Sequence, residues 1–349
     1  MKEQIINAKK LKDTLNVVTG RKQYDKVFVI TDTNTARLCL PLLSDFEATN
    51  ITIGTTDANK SIESLTYVLQ QLVEHHASRH SLLLNLGGGV VTDLGGFAAA
   101  TFKRGIDYAN IPTTLLAMVD AAVGGKTSIN FGGLKNEVGV FKAPVSVLIN
   151  TVFLKTLDNS ELYSGFAEVL KHALLNDKAM WSKVMNTEIA DGKLNINDWQ
   201  QLVYENVKVK SRYVEEDPLE QGIRKALNFG HTFGHAFESF SFTQEPSQAL
   251  KHGYAVAHGM ICELYLSVVK LGFPQDIMRQ TVTYIKENYS RLTLECKDYD
   301  SLIELMYHDK KNSNGKIRPV LLRNIGVPEI DITITEGEVK EAFDFYREA

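Results

Sequence analysis

The run Ser81 to Leu86 (SLLLNL) is almost wholly apolar and ends directly in Gly87-Gly88-Gly89, after which a helical pattern begins. A strand apolar on both sides needs cover on both faces, and so short a turn sends the chain straight into a helix packed against the sheet. The alternation recurs. Lys26 to Thr31 (KVFVIT), Asn50 to Gly54 (NITIG), Tyr108 to Ile111 and Ser146 to Asn150 (SVLIN) read as strands. Between them, Ser61 to His76 sets Ile62, Leu65, Val68, Leu69 and Leu72 at helical spacing, and Pro112-Thr113-Thr114 opens a further helix. The first 150 residues therefore predict an α/β domain around a mostly parallel sheet.

After about residue 157 the texture changes. Helical patterns fill 159–176, 178–190, 196–216, 223–240, 253–271, 275–288 and 300–308. Asp158 followed by Glu161 has the form of a capping box at the first of these. The 349 residues suit two domains, placed here at 1–157 (α/β) and 158–349 (all-helical). A stretch near 317–335 predicts a small hairpin inside the second.

Charge narrows the function classes. Lys+Arg number 38 and Asp+Glu 42, a net charge of -4, with no polybasic run. Neither nucleic acid nor a membrane surface is an expected partner, whereas a small anion in a local cationic pocket is compatible. Cys39, Cys262 and Cys296 are far apart and form no CxxC, so neither a disulfide framework nor a cysteine zinc site is expected. Met1 to Leu11 lacks the apolar core of a signal peptide, and no run approaches a membrane span, so the expected compartment is the cytoplasm.

Three stretches carry candidate chemistry. In the Gly87–Asp93 turn, glycines admit a phosphate to the backbone and the helix start supplies N–H donors; a tight βα connection would need the same residues. Gly95-Gly96 in the next helix serve close packing or a close ligand. Asp120 to Asn136 (DAAVGGKTSINFGGLKN) reads as a loop. Lys126 after Gly124-Gly125 suits a phosphate, although Asp120 stands where a Walker pattern needs glycine, and a plain surface loop fits as well. Third, Arg224, Asn228 and His235 lie about 20°, 60° and 40° from His231 if one helix runs through all four. His231 and His235 have i, i+4 spacing, but Thr232 replaces the Glu of a zinc peptidase. His252, before another helix, is a third candidate ligand. Glu168 lies opposite Leu162, Phe166, Leu170 and Ala173 on its wheel, which by itself reads as a solvated face. The alternative is a metal carboxylate, since one Glu with two His is a catalytic zinc set. Glu215 to Glu220 and Asp309 to Asn312 read as charged loops.

GGGVVTD, FKRGIDYANIPTTLLAMVDAAVGGKTSIN, GLKNEVG, SGFAEVLKHALL, RKALNFGHTFGHAFE, KHGYAVAHGM and DKKN...GKIR occur in this order between Gly87 and Arg318, within a likeness that runs from about residue 27 to 345. As an ordered set they resemble the 3-dehydroquinate synthase family, within the sugar phosphate cyclase superfamily. The resemblance implies a Rossmann-like NAD-binding domain followed by a helical metal-binding domain, and a homodimer. It implies conversion of 3-deoxy-D-arabino-heptulosonate 7-phosphate, a phosphorylated sugar acid, to 3-dehydroquinate and phosphate, with NAD and a zinc or cobalt ion. Family metal ligands fall on Glu168, His231 and His252, which reverses the wheel's reading of Glu168. Phosphate contacts fall on Lys126, Asn136, Asn228, His235 and Lys310 or Lys311, and a carboxylate clamp on Lys210 and Arg224. Arg104 matches an arginine that reaches a neighbouring subunit's site. Asp120, Lys171 and Glu220 match groups orienting hydroxyls and water, and His235 a proton shuttle. NAD contacts fall on Asp32, Asn34, Asp57, Lys60, Gly88, Gly89, Asp93, Thr113, Thr114, Lys126, Lys135, Phe153 and Thr156.

This chain departs from the family at a few positions. Tyr254 stands where HGE is usual, His258 where an apolar residue is commoner, Thr92 where glycine is usual, and Asp57 where Glu is commoner. Three other functions compete. A cyclase of secondary metabolism would not need both Lys210 and Arg224. A polyol dehydrogenase would not need Lys126, Asn136 and Asn228. A non-catalytic NAD-binding scaffold would not need an intact metal triad.

Overall fold

The computed structural model describes residues 3–20, 22–43, 46–132, 134–189, 195–244, 249–308 and 316–349. The chain divides into two compact units, Met1–Leu162 with Asp191–Ser211, and Tyr163–Ala190 with Arg212–Ala349.

The first unit contains β1 (Gln4–Asn7), α1 (Leu11–Gly20), β2 (Val27–Asp32), α2 (Thr33–Leu38), β3 (Thr49–Ile53), α3 (Ile62–Glu74), β4 (Leu82–Gly87), α4 (Gly89–Thr101), β5 (Asp107–Pro112), β6 (Lys126–Phe131), β7 (Leu134–Phe141) and β8 (Ser146–Ile149). Six strands form one sheet in the order β1-β8-β5-β4-β2-β3, with every neighbouring pair parallel. Counted from β2, and leaving the edge strand β1 aside, the sheet runs 2-1-3-4-5. That order reverses between β2 and β4, and ligands of such sheets bind outside the strands' carboxyl ends at the reversal. All six residues of β4 are buried, as the sequence predicts. Its one polar side chain, Asn85, donates to Asn110 Oδ1 at 2.9 Å, and Asn110 donates to the Ala122 carbonyl at 2.9 Å. Leu65, Val68 and Leu72 of α3 are buried, whereas Ile62 is exposed. A Cβ on Gly95 would stand 2.0 Å from Asn85 Oδ1. Of the two roles open to Gly95-Gly96, close packing of α4 on the sheet is therefore the one seen.

The loop expected over Asp120 to Asn136 is not a loop. A π-helical turn, Ala117–Ala121, leads into the antiparallel hairpin β6–β7. All eight residues of β7 are exposed, so there was no alternation of buried and exposed positions to betray a strand.

The second unit is helical. α5 (Asn159–Asn176) and α7 (Ile196–Glu216) each begin in residues of the first unit and end in the second, and α6 (Lys178–Met185) lies wholly in the second. Then come α8 (His231–Gln244), α9 (His252–Leu271), α10 (Gln275–Asn288), α11 (Tyr299–His308), the hairpin β9 (Leu321–Asn324) with β10 (Val327–Glu329), and α12 (Glu336–Glu348). At α5, Asp158 Oδ1 accepts from Glu161 N at 2.8 Å, a bond of the expected box. The hairpin expected near 317–335 is present, and an isolated Ile317–Ile334 bridge flanks it. By length and composition α9 could cross a bilayer, contrary to the reading that no run approaches a span. It is mostly apolar because α8, α10, α12 and β9 pack on it, although it also carries the buried His258 and Glu263.

The single helix expected over 223–240 is broken. A 3-10 turn, Ile223–Asn228, precedes Phe229 and Gly230, and α8 starts only at His231. Gly230 has φ of 80°, in the left-handed region that glycine tolerates at little cost. Arg224 and Asn228 therefore do not share a helical stripe with the two histidines.

Candidate functional site

The break at Gly230 places His231 on the first turn of α8, where it meets His252, the first residue of α9. A Cβ on Gly253 would stand 1.8 Å from the Ser164 carbonyl, so glycine lets α9 lie directly against α5. Glu168, one turn further along α5, is thereby brought to both imidazoles. His231 Nε2 and His252 Nε2 lie 3.6 and 3.7 Å from Glu168 Oε1. Ligand atoms sharing one zinc at ~2.0–2.1 Å stand about 3.3 Å apart, so shifts of a few tenths of an ångström would close the set. The three residues offer ligand atoms all within 4.8 Å of one another. One carboxylate and two imidazoles suit a divalent ion of the zinc or cobalt kind.

Burial of these groups corrects the helix-wheel reading. Glu168 is fully buried, not on a solvated face, and Lys171 beside it is 1% exposed and pairs with Glu168 Oε2. His231 Nδ1 lies 3.1 Å from the Phe229 carbonyl, and His252 Nδ1 lies 3.3 Å from Glu238 Oε2. Burial works against a charged His252, but its hydrogen bonds to Glu168 and Glu238 prevail and push its pKa up to about 10 with no metal bound. His235 joins the cluster, its ring centroid 5.3 Å from that of His231 and 6.0 Å from that of His252. Two carboxylates here escaped the sequence reading. Glu238 reaches His252. Glu263, fully buried on α9, accepts from Gly230 N at 2.6 Å and Thr232 N at 3.1 Å, capping α8. A lone acid inside the apolar run AVAHGMICEL was the available signal for Glu263.

The segment read as a charged loop, Glu215 to Glu220, is organised by Asp217, whose carboxylate accepts from Gln221 N (3.0 Å), Gly222 N (2.6 Å) and Arg224 N (3.1 Å). Burial raises the Asp217 pKa, but these backbone donors outweigh it and hold the group below the usual carboxylate range. Arg224 is 1% exposed and donates from Nη1 to the Pro218 carbonyl at 2.6 Å. Asn228 donates to Glu220 Oε1 at 2.9 Å.

In the first unit, the residues matched to NAD contacts gather at the carboxyl ends of the parallel strands. Asp32 ends β2 and caps α2, accepting from Thr35 N at 2.8 Å, and Asn34 follows on that helix. Gly88 and Gly89 follow β4 and start α4, a helix of 13 residues whose N-terminus has no side-chain cap. Thr113 and Thr114 follow β5, and Phe153 and Thr156 follow β8. The glycine turn thus lies beside the reversal of strand order, where an anion can take up the free N–H groups of α4.

A polar knot adjoins it. Lys60, 4% exposed, donates to Asp93 Oδ2 at 2.5 Å and also to Asn136 Oδ1. Burial pushes the Asp93 carboxyl up against the pull of Lys60. Ser128 Oγ donates to Asn136 Oδ1 at 2.9 Å, and Lys135 pairs with Asp57 at 3.5 Å. Lys126 is exposed at the start of β6. Lys210 donates at 2.6 Å to both the carboxylate and the carbonyl of Asp120. Arg104 is exposed, and both it and Lys103 have positive φ, 68° and 48°. Lys310 and Lys311 lie outside the described residues.

The sequence profile of the 3-dehydroquinate synthase N-terminal region matches residues 50–164, and that of its C-terminal region 165–312. The chain is 50% identical over 351 residues to a 3-dehydroquinate synthase of Parabacteroides distasonis, covering 99% of this chain and 98% of that one. It is 35% identical to one of Listeria innocua, covering 93% and 88%. Among solved structures it superposes on a 2-epi-5-epi-valiolone synthase of Streptomyces hygroscopicus, with a TM-score of 0.84, 23% identity and coverage of 100% and 97%. That structure holds NAD+ and Zn2+. It also superposes on a 2-deoxy-scyllo-inosose synthase complexed with carbaglucose-6-phosphate, NAD+ and Co2+, with a TM-score of 0.82, 21% identity and coverage of 99% and 96%. With both profiles matching in order and half of all residues shared along the full length of a relative, the chain belongs to the 3-dehydroquinate synthase family.

Proposed function

We propose that the chain converts 3-deoxy-D-arabino-heptulosonate 7-phosphate to 3-dehydroquinate and phosphate, with the two sets of residues described above as its cofactor and metal sites. The observation that carries this reading is the convergence of Glu168, His231 and His252, three groups distant in sequence whose ligand atoms lie within 4.8 Å. When bound, NAD+ supplies a reversible hydride acceptor, and a zinc or cobalt ion supplies a Lewis acid for a substrate hydroxyl and the carbonyl it becomes. Asp32, Asn34, Gly88, Gly89, Thr113, Thr114, Phe153 and Thr156 would hold the dinucleotide, the α4 N-terminus offering N–H donors to an anionic group. Asp57, Lys60, Asp93 and Lys135 complete that set.

The chain's own side chains bind and orient the substrate. Lys126, Asn136, Asn228, His235 and Lys310 or Lys311 hold the phosphate. Lys210 and Arg224 take the carboxylate, the guanidinium offering a planar fork. The buried Lys171 and the hydrogen-bonded Asp120 and Glu220 orient hydroxyls and water. His235 moves the proton, standing beside both metal imidazoles. The chain acts as a cytoplasmic homodimer in which Arg104 reaches the second copy. The exposed apolar side chains Phe131, Leu134, Val138, Val140 and Phe141 of the β6–β7 hairpin support pairing with another chain.

The test is phosphate release from 3-deoxy-D-arabino-heptulosonate 7-phosphate with catalytic NAD+, with and without a chelator. Release that is chelator-sensitive and leaves no net NADH is expected. Release from sedoheptulose 7-phosphate or glucose 6-phosphate alone would reassign the substrate, and net NADH from a simple polyol would reassign the reaction.

A further inference from the structure

The two metal imidazoles are held differently at the nitrogen that faces away from Glu168. His231 meets a neutral acceptor, the Phe229 carbonyl, on its own chain turn. His252 meets a carboxylate, Glu238 Oε2, at 3.3 Å. Glu238 is seven residues beyond His231, about 20° away on α8. One face of α8 therefore carries both a ligand and the group that holds the other ligand. His252 is the less supported ring. It opens α9, its side chain is 30% exposed against 10% for His231, and the preceding Lys251 provides no side-chain cap.

An imidazole donating from Nδ1 to a carboxylate keeps its lone pair on Nε2, has its ring plane fixed, and becomes a stronger base. We propose that Glu238 is a positioning residue: it sets the tautomer and orientation of His252 and raises the affinity of the site for a divalent cation. This rests on the reading of Glu168, His231 and His252 as metal ligands. Glu238 touches neither the ion nor the substrate and acts through His252.

The experiment uses the full chain, stripped of metal and titrated with zinc against a chromophoric chelator. A parallel cobalt titration is followed by visible absorption. Glu238→Ala is expected to weaken zinc binding about 10–100-fold and to change the cobalt bands. Glu238→Gln keeps an acceptor but loses the charge, and should bind about tenfold more weakly with the cobalt bands retained. Far-UV circular dichroism of the apo proteins checks folding, and if Glu238→Ala is unfolded, Glu238→Gln decides. Zinc affinity within about twofold of the unchanged chain, with identical cobalt bands, would overturn the inference while leaving the triad intact. An unchanged chain that binds neither ion would overturn the triad reading and this inference together.

Discussion

Gly230 and Glu263 stand 33 positions apart, yet the Gly230 N–H donates to Glu263 Oε2 at 2.6 Å inside the protein core. The other carboxylate oxygen takes the Thr232 N–H, so one buried acid satisfies the start of the helix that carries His231. Such N–H groups have no partner within their own helix. Replacing Glu263 by alanine leaves two of them buried, at roughly 2–6 kcal/mol in total. We expect Glu263→Ala to lower the melting temperature and weaken metal binding together, and Glu263→Gln to lose less. Calorimetry of the apo proteins beside zinc titration checks this; an unchanged melting temperature would contradict the cap.

Gly253→Ala tests the contact that brings α9 onto α5. The added Cβ has the Ser164 backbone 1.8 Å away, with no flexible side chain to yield. Overpacking of this kind costs about 1–3 kcal/mol or more, and the backbone shift separates Glu168 from His252. Loss of stability with a larger loss of metal affinity is the expected result. Wild-type behaviour in both would refute the packing argument.

His258 makes stability depend on pH. Burial, mainly, pushes its pKa down to about 4; the Arg291 charge adds to this, and the hydrogen bond to the Ser290 carbonyl opposes it. The unfolded chain takes up this proton near 6.5, whereas the folded chain waits until about 4. The contribution is therefore complete above pH 6.5 and is lost as pH falls to about 4. It amounts to about 3 kcal/mol at 1.36 kcal/mol per pKa unit. Replacing His258 by leucine should flatten this part of the curve. Denaturant titrations at pH 5 and pH 7.5 measure it, and an equal slope in both proteins would count against the assignment.

His231→Ala should lose metal and activity together while circular dichroism shows an intact fold; activity without bound metal would contradict the ligand set. Arg224→Ala should weaken substrate binding strongly, by about 1–3 kcal/mol or more in kcat/KM, because it leaves an anion unpaired in a desolvated site. Unchanged kcat and KM would remove Arg224 from the clamp.

The sequence made the parallel strands legible because a strand covered on both faces must be apolar throughout. It hid β7, whose eight exposed residues impose no pattern. It hid the end of the 3-10 turn as well, since the apolar periodicity continues through Phe229, and the break is recorded only in backbone angles, the ψ of 130° at Phe229 and the φ of 80° at Gly230. Glu168 was misread from its own helix for a physical reason. A wheel sorts polar from apolar, and a buried carboxylate facing two imidazoles looks polar in either setting. Ordered motifs resolved that residue. The contact of Glu238, which closes the motif RKALNFGHTFGHAFE, with His252 and the cap that Glu263 makes on α8 emerged only from the geometry.

The enclosure of α9 also matters before folding is complete. Its cover includes α12, made long after α9 itself. During synthesis α8 and α10 can cover α9 early, but the face that α12 takes stays bare until that helix leaves the ribosome. Throughout that interval its uncovered apolar face is open to non-native contact, the exposure that chaperones answer.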